Sequence, residues 1–165
     1  MGPHWIEAFR YHRWANSHLL DVCVALSDEQ LELTSPGTYG TIKATWQHLA
    51  GAEQRYVARF VEGEPAFSER DDFPGVVRVK EILTASTDRL IEIAATVAPN
   101  PQFTARFRDG TYRVEPGVIL LQALHHGNDH RTHICTILGA HGIDYGEMDV
   151  WSYGAAIDAL QKVSA

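Results

Sequence analysis

His126-Gly127-Asn128-Asp129-His130-Arg131-Thr132-His133-Ile134 is the stretch on which the reading of this chain turns. It lies inside a run from Glu115-Pro116 to Gly139 with apolar residues at helical spacing, and Pro116 suits the first turn of a helix. At about 100° per residue, with His126 at zero, His130 falls near +40° and His133 near −20°. Ile119, Ala123, Ile134 and Ile137 share that sector, so the imidazoles stand on an apolar face. Helical bundles build their metal sites on such faces. His125 points about 100° away and stands apart from the set.

One helix cannot offer all three histidines to one ion, because His126 and His133 are separated by about 10 Å along the axis. An i,i+4 pair can share an ion, so 126/130 is geometrically good and 130/133 is the alternative. A catalytic zinc site takes three protein ligands and keeps a position open, so a further ligand must come from another helix. His48 is the best candidate. Its sector holds Thr41, Ala44, Thr45, Ala52, Arg55, Tyr56 and Arg59, and the small members leave room for an ion and a ligand. No histidine has Glu or Asp three residues before it, which excludes the di-iron carboxylate pattern. None is followed by Glu, which excludes HExxH, and GxSxG, P-loop and GxGxxG motifs are absent.

Working outward, apolar residues at Trp5, Phe9, Ala15, Leu19, Cys23 and Leu26 predict a first helix over 3–26, followed by a loop at Ser27-Asp28. A second helix is expected from Thr41 to Val61, and a third from Val77 to Val97 before Pro99-Asn100-Pro101. Phe103–Phe107 alternates, Asp109-Gly110 is a two-residue turn signal, and Thr111–Val114 alternates again. Asp149 or Ser152 suits the cap of a short last helix through Leu160. The expected fold is all-α: a four-helix bundle, with a small β-hairpin before the fourth helix and a short C-terminal helix, in a single domain spanning 1–165.

The chain has 165 residues, 45% of them hydrophobic and 21% charged, enough for one real core. Its formal charge of −7 argues against coating nucleic acid or anionic lipid. No apolar run reaches the roughly 20 residues of a membrane span. The N-terminus is expected to be neither a signal nor a transit peptide. Two cysteines without a CxxC are no disulfide scaffold, and the default expectation is a reduced, cytoplasmic protein. Nine histidines are the anomaly in the composition.

Four strings together carry a resemblance. His126-Gly127-Asn128-Asp129-His130-Arg131 is an HxxxHR signature late in the chain. Tyr11-His12-Arg13-Trp14-Ala15-Asn16 with Leu19-Leu20-Asp21, Thr45-Trp46-Gln47-His48-Leu49 with Ala52-Glu53, and Asp149-Val150-Trp151-Ser152-Tyr153 accompany it in order. The chain resembles the DinB-like family of metal-dependent enzymes over nearly its whole length. That resemblance implies an up-down-down-up bundle, frequently a homodimer, with a divalent metal on His48, His126 and His130. Relatives include thiol-dependent S-transferases and a mycothiol-dependent isomerase. The family pattern often continues HRGQ, whereas this chain has Arg131-Thr132-His133, so His133 is a fourth ligand, an outer group or a packed residue.

A metal ion with an open position can polarise a carbonyl, activate water or bind a thiol as its thiolate. The resemblance implies the last: S-transferase-like chemistry in which a low-molecular-weight thiol, held on zinc or nickel, attacks a small-molecule electrophile. Arg55 and Arg59 share His48's sector and could grip the thiol's carboxylates, or form surface ion pairs instead. Metal-assisted hydrolysis is the alternative, weakened because neither Asp129 nor Glu53 falls in its helix's histidine sector. A non-catalytic metal-binding dimer is the third reading. Cys23 and His12 read as core residues, with a dimer contact as His12's alternative. A second apolar sector on the fourth helix, Leu120, Leu121, Leu124, Cys135 and Leu138, motivates a homodimer through helix four or helix one.

Overall fold

The computed structural model describes residues 3–61, 64–97 and 103–163. Its elements are helices α1 (Pro3–Val24), α2 (Asp28–Leu31), α3 (Ile42–Val57) and α4 (Val76–Thr96), strands β1 (Phe103–Phe107) and β2 (Gly110–Val114), and helices α5 (Pro116–Ala140) and α6 (Val150–Ala156). The chain is therefore mostly helical with one antiparallel hairpin. Among the described residues, no helix is long and apolar enough to cross a membrane.

Local chemistry sets most boundaries, and it also explains where the expected ones moved. Ser27 opens a short helix through a reciprocal capping box with Gln30, so the expected loop contains the turn α2. Thr41 caps α3 by accepting from Ala44 N, and Asp149 caps α6 by accepting from Ser152 N. After Val57 the hydrogen bonds tighten to Arg59 N→Tyr56 O and Phe60 N→Val57 O, so α3 stops short of Val61. Asp158 adopts φ 56°, and Asp158 N and Ala159 N bond back to Ala155 O and Gly154 O. This Schellman turn ends α6 before Leu160. The hairpin pairs Phe107 with Gly110, so Arg108 and Asp109 form the turn, one residue earlier than expected. In this register Phe103 packs edge-on against Phe60 at 4.8 Å, and a one-residue slip would turn it to the other face. The proline stop at 99–101 lies outside the described residues.

The four long helices pack side by side. The end of α1 meets the start of α3 where Trp46 Nε1 donates to Cys23 Sγ at 3.3 Å, and the start of α4 where Lys80 pairs with Asp21. Farther along, Arg13 pairs with Asp88 at 2.8 Å, and Gln54 Nε2 donates to Ser86 Oγ at 2.8 Å. Early α5 shares an apolar cluster with Phe9 of α1 and Leu90 of α4, while late α5 joins a second cluster with Leu19, Cys23, Ile42 and Trp46. Between these clusters the core is polar: His12, Asn16, Glu53, Thr87 and Arg131 are all buried.

The second apolar sector of α5 is mostly used inside the chain. Leu120 and Leu138 are fully buried in the core, and Leu124 and Cys135 pack against it. Leu121 and Val118 are the large apolar side chains left exposed on α5. The reason is that α5 touches both α1 and α3, so two of its faces are core faces.

Candidate metal centre

α3 carries His48 toward α5, which presents His126 and His130 one turn apart. His126 Nε2 stands 3.1 Å from His48 Nε2 and 3.1 Å from His130 Nε2. All three ligand atoms lie within 4.8 Å of one another. Nitrogens about 2 Å from one tetrahedral ion stand roughly 3.3 Å apart, so this convergence fits a divalent metal. The tautomers point the same way. His48 Nδ1 lies 2.6 Å from Glu69 Oε2, so it carries the proton and leaves the Nε2 lone pair facing the other two rings. With His48 Nε2 a lone pair, a neutral His126 cannot both donate to it and accept from His130 through the same Nε2, and a cation removes the conflict.

Burial lowers His126 and His130 to about 4, helped by the neighbouring imidazoles, while Asp129 opposes the shift. Both rings are therefore neutral near pH 7 and keep their lone pairs for an ion. The unfolded chain, titrating near 6.5, binds more protons than the fold between that value and about 4. Stability of the metal-free protein is thus full above about pH 6.5 and lost as pH falls toward about 4. Urea midpoints at about pH 7.5 and about pH 5 should show this fall, and it should shrink in His126→Asn. A native midpoint that is flat over the interval would contradict neutral imidazoles.

Glu69 comes from the segment between α3 and α4 and has no sequence signal. Partial burial pushes its carboxyl up, but the His48 hydrogen bond and the Arg55 charge outweigh it and hold the group below its usual value. The segment is clamped to α3 by Gln47 Nε2, which donates to Glu69 O and Asp71 O. Gly51 permits the approach, because a Cβ there would stand 2.7 Å from Glu69 N. Carboxylate partners of metal-binding histidines set ring orientation and basicity. Glu69→Gln is expected to weaken divalent-metal affinity by roughly 10–100-fold with little loss of stability, measured by chelator competition. Unchanged affinity would remove Glu69 from the site.

Aromatic rings wall the cluster. Tyr39, from the loop before α3, stacks on His48 with centroids 4.4 Å apart and meets His130 edge-on at 4.9 Å. Tyr56 stands edge-on to His126 at 5.8 Å.

Behind the cluster runs a buried relay that joins three helices. Arg131 donates from Nη1 to His12 Nδ1 at 2.9 Å and to Asn16 Oδ1 at 2.8 Å. A guanidinium only donates, so His12 holds its proton on Nε2 and gives it to Glu53 Oε1 at 2.6 Å. Thr87 Oγ1 lies 3.1 Å from Glu53 Oε2. Gly127 makes room for this relay, since a Cβ there would stand 2.1 Å from His12 Cε1. His12 is thus a core residue, and within that core it links a buried cation to a buried anion.

The remaining sequence candidates fall as follows. The His133 ring is 5.4 Å from that of His130, its Nδ1 is buried without a partner, and it stands outside the three-histidine group. Arg55 Nη2 sits 3.5 Å from Glu69 Oε2, and Arg59 Nη1 donates to Thr104 O at 2.9 Å. Burial raises Cys23 and Cys135 to about 11, so both remain thiols rather than thiolates.

A mostly helical chain with three converging imidazoles defines a protein with a candidate three-histidine metal centre. The sequence matches the DinB family over residues 1–159, and the chain belongs to that family. The crystal structure of a DinB-like protein from Bacillus cereus ATCC 10987 is similar in fold, with a TM-score of 0.64 at 16% identity. The match covers 87% of this chain and 94% of that one. No curated protein matches the sequence.

Proposed function

We propose that this chain is a metal-dependent enzyme whose divalent ion, zinc or nickel, is held by His48, His126 and His130. The reaction we propose is transfer of a low-molecular-weight thiol to a small electrophile. The observation that carries the reading is the convergence of three imidazole nitrogens, two of the contacts at 3.1 Å. A divalent ion held by His48, His126 and His130 would supply Lewis-acid chemistry that favours the thiolate, the nucleophilic form of a thiol. The protein's own part is to hold His48 in one tautomer through Glu69, to keep His126 and His130 neutral, and to flank the site with Tyr39 and Tyr56. In the transfer the thiol's S–H bond breaks and its proton passes to solvent, a carbon–sulfur bond forms, and the electrophile's leaving group departs with the electron pair of the bond it breaks.

Metal-assisted hydrolysis needs a free general base. Glu69 is engaged with His48 and Arg55, and Glu53 with His12 and Thr87. Asp129, the remaining carboxylate that acts on His126 and His130, is exposed and outside the histidine sector of α5. That favours transfer. We propose an up-down-down-up bundle for this single-domain, cytoplasmic protein, a topology supported by the Lys80–Asp21, Arg13–Asp88 and Gln54–Ser86 contacts between its helices. A homodimer remains part of the proposal, supported by exposed Val118 and Leu121 on α5. A sedimentation profile with only an 18.4 kDa species would remove it.

Elemental analysis of protein purified without added metal tests the centre, and cobalt substitution then tests the chemistry. A bound ion whose visible spectrum changes on adding a thiol supports the transferase. A bound ion indifferent to thiols supports the non-catalytic metal-binding reading, and absence of any divalent metal overturns the centre.

A further inference from the structure

The three histidines have a cavity for a neighbour on the hairpin side of the same two helices. Between the end of α3, the start of α5 and β1 lies a cavity of about 440 Å³, whose lining includes Tyr56, Arg59, Phe103, Arg106, Ile119 and Gln122. Tyr56 belongs to both places, since its ring also stands edge-on to His126. Gln122 and Ile119 precede His126 by four and seven positions, on the same side of α5. The cavity and the histidine cluster are therefore neighbours along one helix pair.

Its chemistry differs from that of the rest of the surface. The chain carries a formal charge of −7, yet this lining has two guanidiniums and no carboxylate. Arg59 is fixed by its bond to Thr104 O, which leaves its other N–H groups to donate elsewhere. Neither arginine enters a salt bridge among the described residues, in contrast to Arg10, Arg13, Arg55, Arg78 and Arg89. The same lining has an apolar part, with Phe103, Val114 and Ile119.

We propose that this cavity is a subsite for a carboxylate carried on an apolar spacer, with the ligand's head at the three histidines and its tail between Arg59 and Arg106. This rests on the metal centre proposed above. The rise from His126 back to Ile119 is roughly 10 Å, so the spacer is of medium length. Charged hydrogen bonds to two arginines give the tail its affinity, and the apolar part of the lining covers the spacer.

Calorimetry on the zinc-loaded protein tests it by comparing 6-mercaptohexanoate with the neutral 6-mercaptohexan-1-ol. The carboxylate is expected to bind roughly 10–100-fold more tightly. The double variant Arg59→Gln/Arg106→Gln should lose that advantage while keeping its metal and its affinity for the alcohol. The advantage should also fall for 3-mercaptopropionate, whose tail is too short. Equal affinity of the two six-carbon thiols, or an advantage that survives in the double variant, would overturn the subsite.

Hexanoate titrated into metal-free protein separates this inference from the metal reading. Amide shifts at Arg59, Arg106 and Gln122 that vanish in the double variant support the subsite even if no metal binds, and their absence counts against it. Hexanoate that binds together with 2-mercaptoethanol on the zinc-loaded protein places the carboxylate on the electrophile. Mutual exclusion of the two places it on the thiol. Both outcomes support the subsite.

Discussion

Alanine at His48, His126 or His130 is expected to lower divalent-metal affinity by more than the roughly 100-fold upper range seen for outer partners, because each removes a ligand itself. The three nitrogens converge from two helices, so no remaining pair retains the geometry. His125→Ala is the control: the residue is exposed and outside the cluster, and its metal stoichiometry should match the native protein. His133→Ala should keep the metal as well, since that ring lies beyond the group. Equilibrium dialysis with zinc or nickel reads all five variants. Full stoichiometry and affinity in His48→Ala would overturn the two-helix site and make 130/133 the pair to test.

The second large effect is on stability. Glu53→Ala leaves Arg131 buried with its His12 bridge but no anion, and Arg131→Met leaves Glu53 buried with no cation. Removing one partner of a buried charged pair costs about 3–5 kcal/mol, because the other charge keeps its desolvation penalty. The double variant Glu53→Ala/Arg131→Met should cost clearly less than the two single effects combined, since it removes both charges together. Gly127→Ala tests the same relay sterically. Its Cβ would collide with the His12 ring, and overpacking of this kind costs typically about 1–3 kcal/mol. Urea midpoints measure each variant. Single-variant losses below about 1 kcal/mol would mean that the relay is solvated rather than closed.

The relay also gives the family strings a physical meaning. His12 and Asn16 lie in the first string, Glu53 in the second and Arg131 in the third, and in the fold they bond to one another. As sequence they read only as polar residues on three helices. Glu53 is outside His48's sector, and from one helix alone that looks like absence from the chemistry. It faces α1 and α4 instead, where His12 and Thr87 wait for it.

By itself the sequence determined the long helices and the hairpin, and it marked three histidines as candidate ligands. Those features are written in local periodicity: a 3.6-residue apolar repeat, a period-two alternation around Asp109-Gly110, and imidazoles four residues apart on one face. His48 could be singled out because small neighbours such as Ala44, Thr45 and Ala52 mark space on a helix face. Tertiary structure alone decided the partners. Glu69 and Tyr39 reach the histidines from loops, whose paths depend on what α3 and α5 leave open, such as the gap at Gly51. It also decided that Leu120 and Leu138 of α5 are core, because whether a second apolar face meets another helix or solvent depends on how the helices are rotated and packed. Rotation and register are properties of pairs of helices, and a pattern read along one helix carries no information about the helix beside it.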